Sequence, residues 1–197
     1  MELTLIIIGI NVLVSLAGLY SYPQLINTLM MIPYRTIREK TWYEIITSGF
    51  VHAGIGHLLF NMFTLFFFGP VLVGILGNAQ FLLLYFSGLV ASSLPSLIKH
   101  KNDPQYATLG ASGAIESVLF AFIIVYPFEK IYLMLIPIGI PAFVFGIAFI
   151  AYSIYASKQE GRVNHEAHIA GGLWGIIFML IFVPGILDHF LTTIGIK

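Results

Sequence analysis

The chain has 197 residues, 58% of them hydrophobic and 9% charged, with nine basic and nine acidic side chains in balance. Soluble domains carry about 25% charged residues, so this composition excludes an ordinary soluble protein and marks an integral membrane one, of mean hydropathy +0.94. The zero formal charge argues against a nucleic-acid partner, and the absence of cysteine excludes disulfides, thiol catalysis and thiolate metal sites.

Apolar runs of roughly the 17–25 residues needed to span a bilayer recur along the chain. The first, about 3–20, follows Met1-Glu2 without the basic segment of a cleaved signal peptide and is read as a retained helix. A long connection, about 21–53, carries Arg35, Arg38, Lys40, Trp42 and Tyr43. Its aromatic content predicts an ordered element in the membrane interface, where Trp and Tyr are favoured. The second and third runs cover about 55–76 and 79–98, and a polar break with Pro104 follows. The fourth, about 111–126, is closed by Pro127-Phe128-Glu129-Lys130. The fifth, about 131–155, contains Pro137 and Pro141, which are expected to bend it. A polar loop at 157–166 leads to the sixth, about 167–187. No linker separates domains, so residues 1–197 read as one all-α, six-helix, polytopic membrane bundle.

With six spans, the starts of the second, fourth and sixth helices lie on one side. This topology alone brings His57, Ser112 and His168 to a similar depth. Ser112 lies in Gly110-Ala111-Ser112-Gly113. Small residues in such a string permit close helix packing in membranes, but a nucleophile also needs small neighbours, a nearby base and the free N–H groups of a helix start. His168 is followed by Gly171, Gly172 and Gly175 on its own face, which lets another helix approach closely enough for a serine–histidine hydrogen bond. His57 and Asn61, four residues apart, share a side of the second helix. They suit either an oxyanion site or a polar tie between helices. His165-Glu166-Ala167-His168 resembles the zinc-protease pattern HExxH, but its histidines are three residues apart rather than four, which leaves metal binding a minor alternative.

Taken together, Gly110-Ala111-Ser112-Gly113, Ala167-His168 with Gly171 and Gly175, and His57 with Asn61 resemble the rhomboid family of intramembrane serine proteases, with His52 five residues before His57. The resemblance covers essentially the whole chain. It implies a cofactor-free Ser112–His168 dyad, with His57, Asn61 and the Ser112 N–H as oxyanion donors. It also implies transmembrane protein substrates reached from the lipid bilayer near the second and fifth helices. A catalytically silent client-binding relative and a small transporter are the rival classes. The lack of repeats and of charged helix centres argues against a transporter.

Three positions depart from the family pattern. Tyr43-Glu44 stands where relatives often carry Trp-Arg, and Trp42 sits one position early. Glu116 replaces an aromatic residue that usually stacks on the catalytic imidazole. It is expected either to orient His168 or to bond, protonated, to another helix. Finally, Arg35, Arg38, Lys40, Lys99, Lys101, Lys158 and Arg162 lie on the Ser112 side, against Lys130 and Lys197 on the other. The positive-inside rule would turn that face to the cytoplasm, whereas the resemblance turns it outward. The expected location is the plasma (cell) membrane, multi-pass; nothing in the sequence sets the oligomeric state.

Overall fold

A computed structural model describes residues 1–132, 138–159 and 163–197. Helix α1, Glu2–Leu16, continues through a π-helical turn, Ala17–Ser21. It turns Thr4, Ile7, Asn11 and Ser15 inward and leaves Leu5, Ile6, Ile10 and Leu13 exposed. This reverses the pattern of a soluble helix. Lipid tails are as apolar as leucine, so helices associate through small and polar residues that let backbones approach.

The long connection holds three short helices, α2 (Pro23–Leu29), α3 (Pro33–Arg38) and α4 (Glu44–Thr47), then a 3₁₀ turn at Ser48–Phe50. Both α2 and α3 open on proline, whose fixed φ and missing N–H suit a first helical position. Helix α5, Ile55–Lys99, is two spans joined at Gly77, whose φ of +73° turns the chain between arms 55–76 and 78–99.

Helix α6, Ser112–Val125, occupies the centre, with most of its residues buried against α5 and α8. Its 14 residues give a length of about 21 Å, short of the roughly 30 Å hydrocarbon core. A surrounded helix can be this short, and its first residue can lie below the membrane surface.

The fifth run departs from expectation. Near its beginning two short strands pair, β1 (Lys130–Tyr132) antiparallel to β2 (Gly139–Pro141), and helix α7 spans only Ala142–Ala156. Pro141 therefore precedes α7 instead of bending it, which agrees with the first turn of a helix having no use for the N–H that proline lacks. Pro137 lies outside the described residues. The sixth run is interrupted as well: α8, His165–Phe182, ends before Pro184, and Gly185 at φ +79° starts a separate helix, α9 (Ile186–Thr193).

Among the described residues, α1 with its π turn, α5 and α8 are long and apolar enough to cross a bilayer, and α6 and α7 are shorter apolar helices. The fold is a polytopic helical membrane fold.

Candidate active site

Glycine brings α6 and α8 together. A Cβ on Gly171 would stand 2.2 Å from the Gly113 carbonyl oxygen, and one on Gly175 would stand 2.2 Å from that of Ser117. Both obstacles are backbone, so no side-chain rotation relieves them. The hydroxyl of Ser117 crosses the seam, donating to the Gly171 carbonyl at 2.8 Å with the Gly113 carbonyl at 3.1 Å. On the other side of α6, a Cβ on Gly113 would meet Ser92 Oγ of α5 at 2.0 Å. The central helix is thus held at backbone distance from α8 and directly against a serine side chain of α5.

This closeness sets two polar side chains face to face. Ser112 is the first residue of α6 and His168 the fourth of α8, and His168 Nε2 lies 2.8 Å from Ser112 Oγ. Asn164 fixes the start of α8. Its Oδ1 accepts from the Ala167 N–H at 3.1 Å, while its Nδ2 donates to Ser96 Oγ at 2.8 Å. The chain enters α6 through Gly110, at φ +115°, where a Cβ would lie 2.4 Å from the His57 ring. Conformation and space both require glycine there.

A cavity of about 760 Å³ borders Ser112, His168, His57, Asn61 and Glu116, with Phe60 of α5 and Phe149 of α7 on its walls. Loop residues Tyr106 to Gly110 also line it, so it reaches toward the loop side of the bundle. Asn61 is buried, and its Nδ2 has no hydrogen-bond partner among the described residues. As the opening residue of α6, Ser112 also carries one of the N–H groups that a helix start leaves without an intrahelical acceptor.

A sequence model of the rhomboid domain matches residues 39–185. The chain belongs to the rhomboid family. It is 32% identical over 179 residues to rhomboid protein 1, mitochondrial, of Saccharomyces cerevisiae, covering 87% of this chain and 51% of that protein. Identity is also 32% to the human presenilin-associated rhomboid-like protein, mitochondrial, over 183 residues, 88% of this chain and 46% of that one. A rhomboid relative from Bacillus subtilis, YdcA, matches at 32% over 149 residues, 75% of this chain and 70% of its own length. The chain spans about half the length of the yeast and human relatives.

Rhomboids act on transmembrane substrates within the bilayer, and the fold described above is of that intramembrane-protease type. The plasma-membrane placement expected from sequence is corrected by the yeast and human relatives, both named mitochondrial; the multi-pass character stands.

Two departures from the rhomboid pattern find their explanation in the structure. Glu44 is fully buried in the connection and accepts from three groups: Arg35 Nε at 2.5 Å, Thr36 Oγ1 at 2.8 Å and the Ile32 N–H at 3.1 Å. Arg35 donates further to the carbonyls of Asn27 and Met30. In this chain the carboxylate stands at 44 and its arginine nine residues upstream. The second departure corrects an expectation. Among the described contacts Glu116 makes no hydrogen bond to His168 or to another helix. The ring against His168 is Phe149 of α7, stacked at a centroid distance of 6.1 Å and an interplanar angle of 28°.

The minor metal reading gains nothing from the geometry. Glu166 pairs with Lys99 of α5 at 2.6 Å, away from the Ser112–His168 contact, and no group of three or more acidic or histidine side chains converges among the described residues.

Sequence reasoning noticed His52 without giving it a part. It is fully buried in the connection, where its Nδ1 lies 2.8 Å from Ser15 Oγ of α1 and its Nε2 accepts from the Ala111 N–H at 3.4 Å. Ser15 donates onward to the Phe50 carbonyl at 3.1 Å. With Nε2 accepting, the proton sits on Nδ1, and the chain of donors runs in one direction through a neutral imidazole. Burial, and secondarily the neighbouring His57, push the His52 pKa down to about 3. The signal available was only its spacing from His57, because its partners lie 37 and 59 positions away.

Proposed function

We propose that this rhomboid is an intramembrane serine endopeptidase that cleaves transmembrane segments with Ser112 as nucleophile and His168 as base. The observation that carries the reading is the 2.8 Å contact between Ser112 Oγ and His168 Nε2 at the edge of a shared cavity. A nucleophile and a base within hydrogen-bond reach are the minimum for acyl transfer.

In the first half-reaction Ser112 Oγ attacks the scissile carbonyl carbon as its proton passes to His168 Nε2. The carbonyl π electrons move to the oxygen. The Asn61 Nδ2, without a partner among the described residues, and the Ser112 N–H supply preorganised donors for that oxyanion, and the His57 ring closes the site against Gly110. Collapse breaks the C–N bond, and His168 returns the proton to the leaving nitrogen. Water, admitted from the loop side, then attacks the acyl-serine with His168 again as base. This releases the carboxylic acid and restores Ser112. Phe149 stacked on His168 limits its ring to the orientation this exchange needs. Gly110 and Gly113 leave room for a substrate backbone, and Gly171 and Gly175 keep the two catalytic helices at working distance. No step calls for a cofactor.

The test uses detergent-purified protein and a reporter transmembrane substrate. Ser112→Ala and His168→Ala should each abolish cleavage while the protein stays folded, and the double variant should be no worse than either single one, since the two act as a unit. A fluorophosphonate should label Ser112, and chelators should leave the rate unchanged. Substrate binding with no cleavage by the wild type would assign the chain to the silent client-binding class instead.

A further inference from the structure

The mechanism leaves one buried ionisable group unused. Glu116 is 5% exposed, borders the cavity that holds Ser112, and its Oε2 is buried with no hydrogen-bond partner among the described residues. Leaving such a group unsatisfied carries the full cost of its desolvation. A role in holding helices together would require a partner on another helix, and the described residues provide none. A role in orienting His168 is met by other groups, because Ser112 holds Nε2 and Phe149 covers the ring.

We propose that Glu116 is a specificity-determining residue, whose carboxyl receives a hydroxyl- or amide-bearing side chain of the substrate residue on the acyl side of the scissile bond. This rests on the protease reading above. Glu116 lies four residues beyond Ser112 on the same helix, about 6 Å further along its axis. Helical side chains lean back toward the N-terminus, so its carboxyl reaches up toward the serine. Once the scissile carbonyl sits over Ser112 Oγ, the adjacent substrate side chain is the first to point down that gap. A serine, threonine or asparagine side chain is short enough to enter that gap and carries the hydrogen-bonding group the carboxyl lacks.

A carboxyl can accept from a hydroxyl or amide, and in its protonated form it can donate to one as well. A lysine in the substrate would have to bring its own charge to bilayer depth, which is costly. A purely apolar side chain would leave Glu116 unsatisfied. The chemistry therefore selects small, neutral, hydrogen-bonding residues.

The test varies the acyl-side residue of one transmembrane reporter among Ala, Val, Ser, Thr and Asn. Sites built to hydrogen-bond a substrate group reject analogues lacking it strongly. For a cavity that water can reach, the expected wild-type preference in kcat/KM for Ser or Asn over Ala is about tenfold. Glu116→Gln keeps both a donor and an acceptor and should retain the preference; Glu116→Met should erase it. Binding of the same segments to Ser112→Ala protein, followed by thermophoresis, keeps the test independent of turnover. Tighter binding of the Ser segment than the Ala segment, lost on adding Glu116→Met, supports the proposal even if no segment is cleaved, and that outcome would sink the protease reading alone. Equal treatment of Ser and Ala by the wild type, in cleavage or in binding where cleavage is absent, overturns the role of Glu116.

Discussion

The α6–α8 seam and the connection between α1 and α5 solve the same problem, holding polar groups away from bulk water, by opposite means. In the seam, side chains are removed: Gly171 and Gly175 let carbonyls of the facing helix approach to where a Cβ would stand. In the connection, side chains are added: the Glu44 carboxylate gathers Arg35, Thr36 and a backbone N–H into one buried network that fastens three short helices. A seam built on backbone contact has no soft component, so any added volume moves the helices and, with them, Ser112 and His168. A side-chain network stores its stability in a few polar groups, none of which touches Ser112 or His168 among the described contacts.

The sharpest way to break this contrast is Gly175→Val. Overpacking a well-packed core typically costs about 1–3 kcal/mol, and a clash against the Ser117 carbonyl, which cannot rotate away, belongs at or above that upper end. The variant should lose both thermal stability in detergent and cleavage. A variant with wild-type melting and full kcat would show that the seam has slack, and the contrast would fail.

Glu44→Ala comes next and should separate the two properties. Removing one partner of a fully buried ion pair costs about 3–5 kcal/mol. Arg35 is 24% exposed, so solvent screens what is left and the expected loss is about 2–3 kcal/mol. The melting temperature should fall, while kcat of the molecules that remain folded, measured below the transition, should stay within a few-fold of wild type. If kcat collapses without loss of stability, the connection acts directly on the site.

These regions were unequally legible in the sequence. Five of the six runs were placed to within a few residues at their starts, and Gly77, which divides α5, lies in the gap left between the second and third. Ser112, His168, His57 and Asn61 could be read because each sits on a periodic helix, so spacing translates into a shared face and topology into shared depth. The start of α7 was missed because Ile131 and Tyr132 are as apolar as a helix would need; hydropathy does not distinguish a short strand from a span. The partners of Glu44 and His52 were invisible for another reason. They lie in irregular backbone, where no period links Glu44 to Arg35 or His52 to Ser15. Glu116 stands out in the sequence as anomalous, but the ring stacked on His168 comes from Phe149, a residue of a different helix that no spacing links to it.

The smallest predicted effect concerns His52, which joins the two regions: through Ser15 and Phe50 it belongs to the connection, and through the Ala111 N–H it reaches the residue before Ser112. Its pKa is pushed down to about 3 in the folded protein, from an ordinary value of 6.5. Between those values the unfolded chain binds the proton and the folded chain does not, so stability rises with pH across that window. The contribution of the buried neutral imidazole is therefore fully present above about pH 6.5 and is lost as pH falls toward 3. One such group adds a slope of at most about 1.4 kcal/mol per pH unit. His52→Gln replaces the imidazole with a side chain that does not titrate but still offers an acceptor and a donor. Melting curves from roughly pH 4.5 to 7.5, which take in the upper part of that window and the plateau above it, should be steeper in pH for the wild type than for His52→Gln, with the gap narrowing toward the acidic end. Parallel curves would mean that His52 is already protonated at no cost in the folded state. An imidazolium Nε2 would offer the Ala111 N–H no acceptor, and the connection would have no hold through His52 on the backbone that presents Ser112.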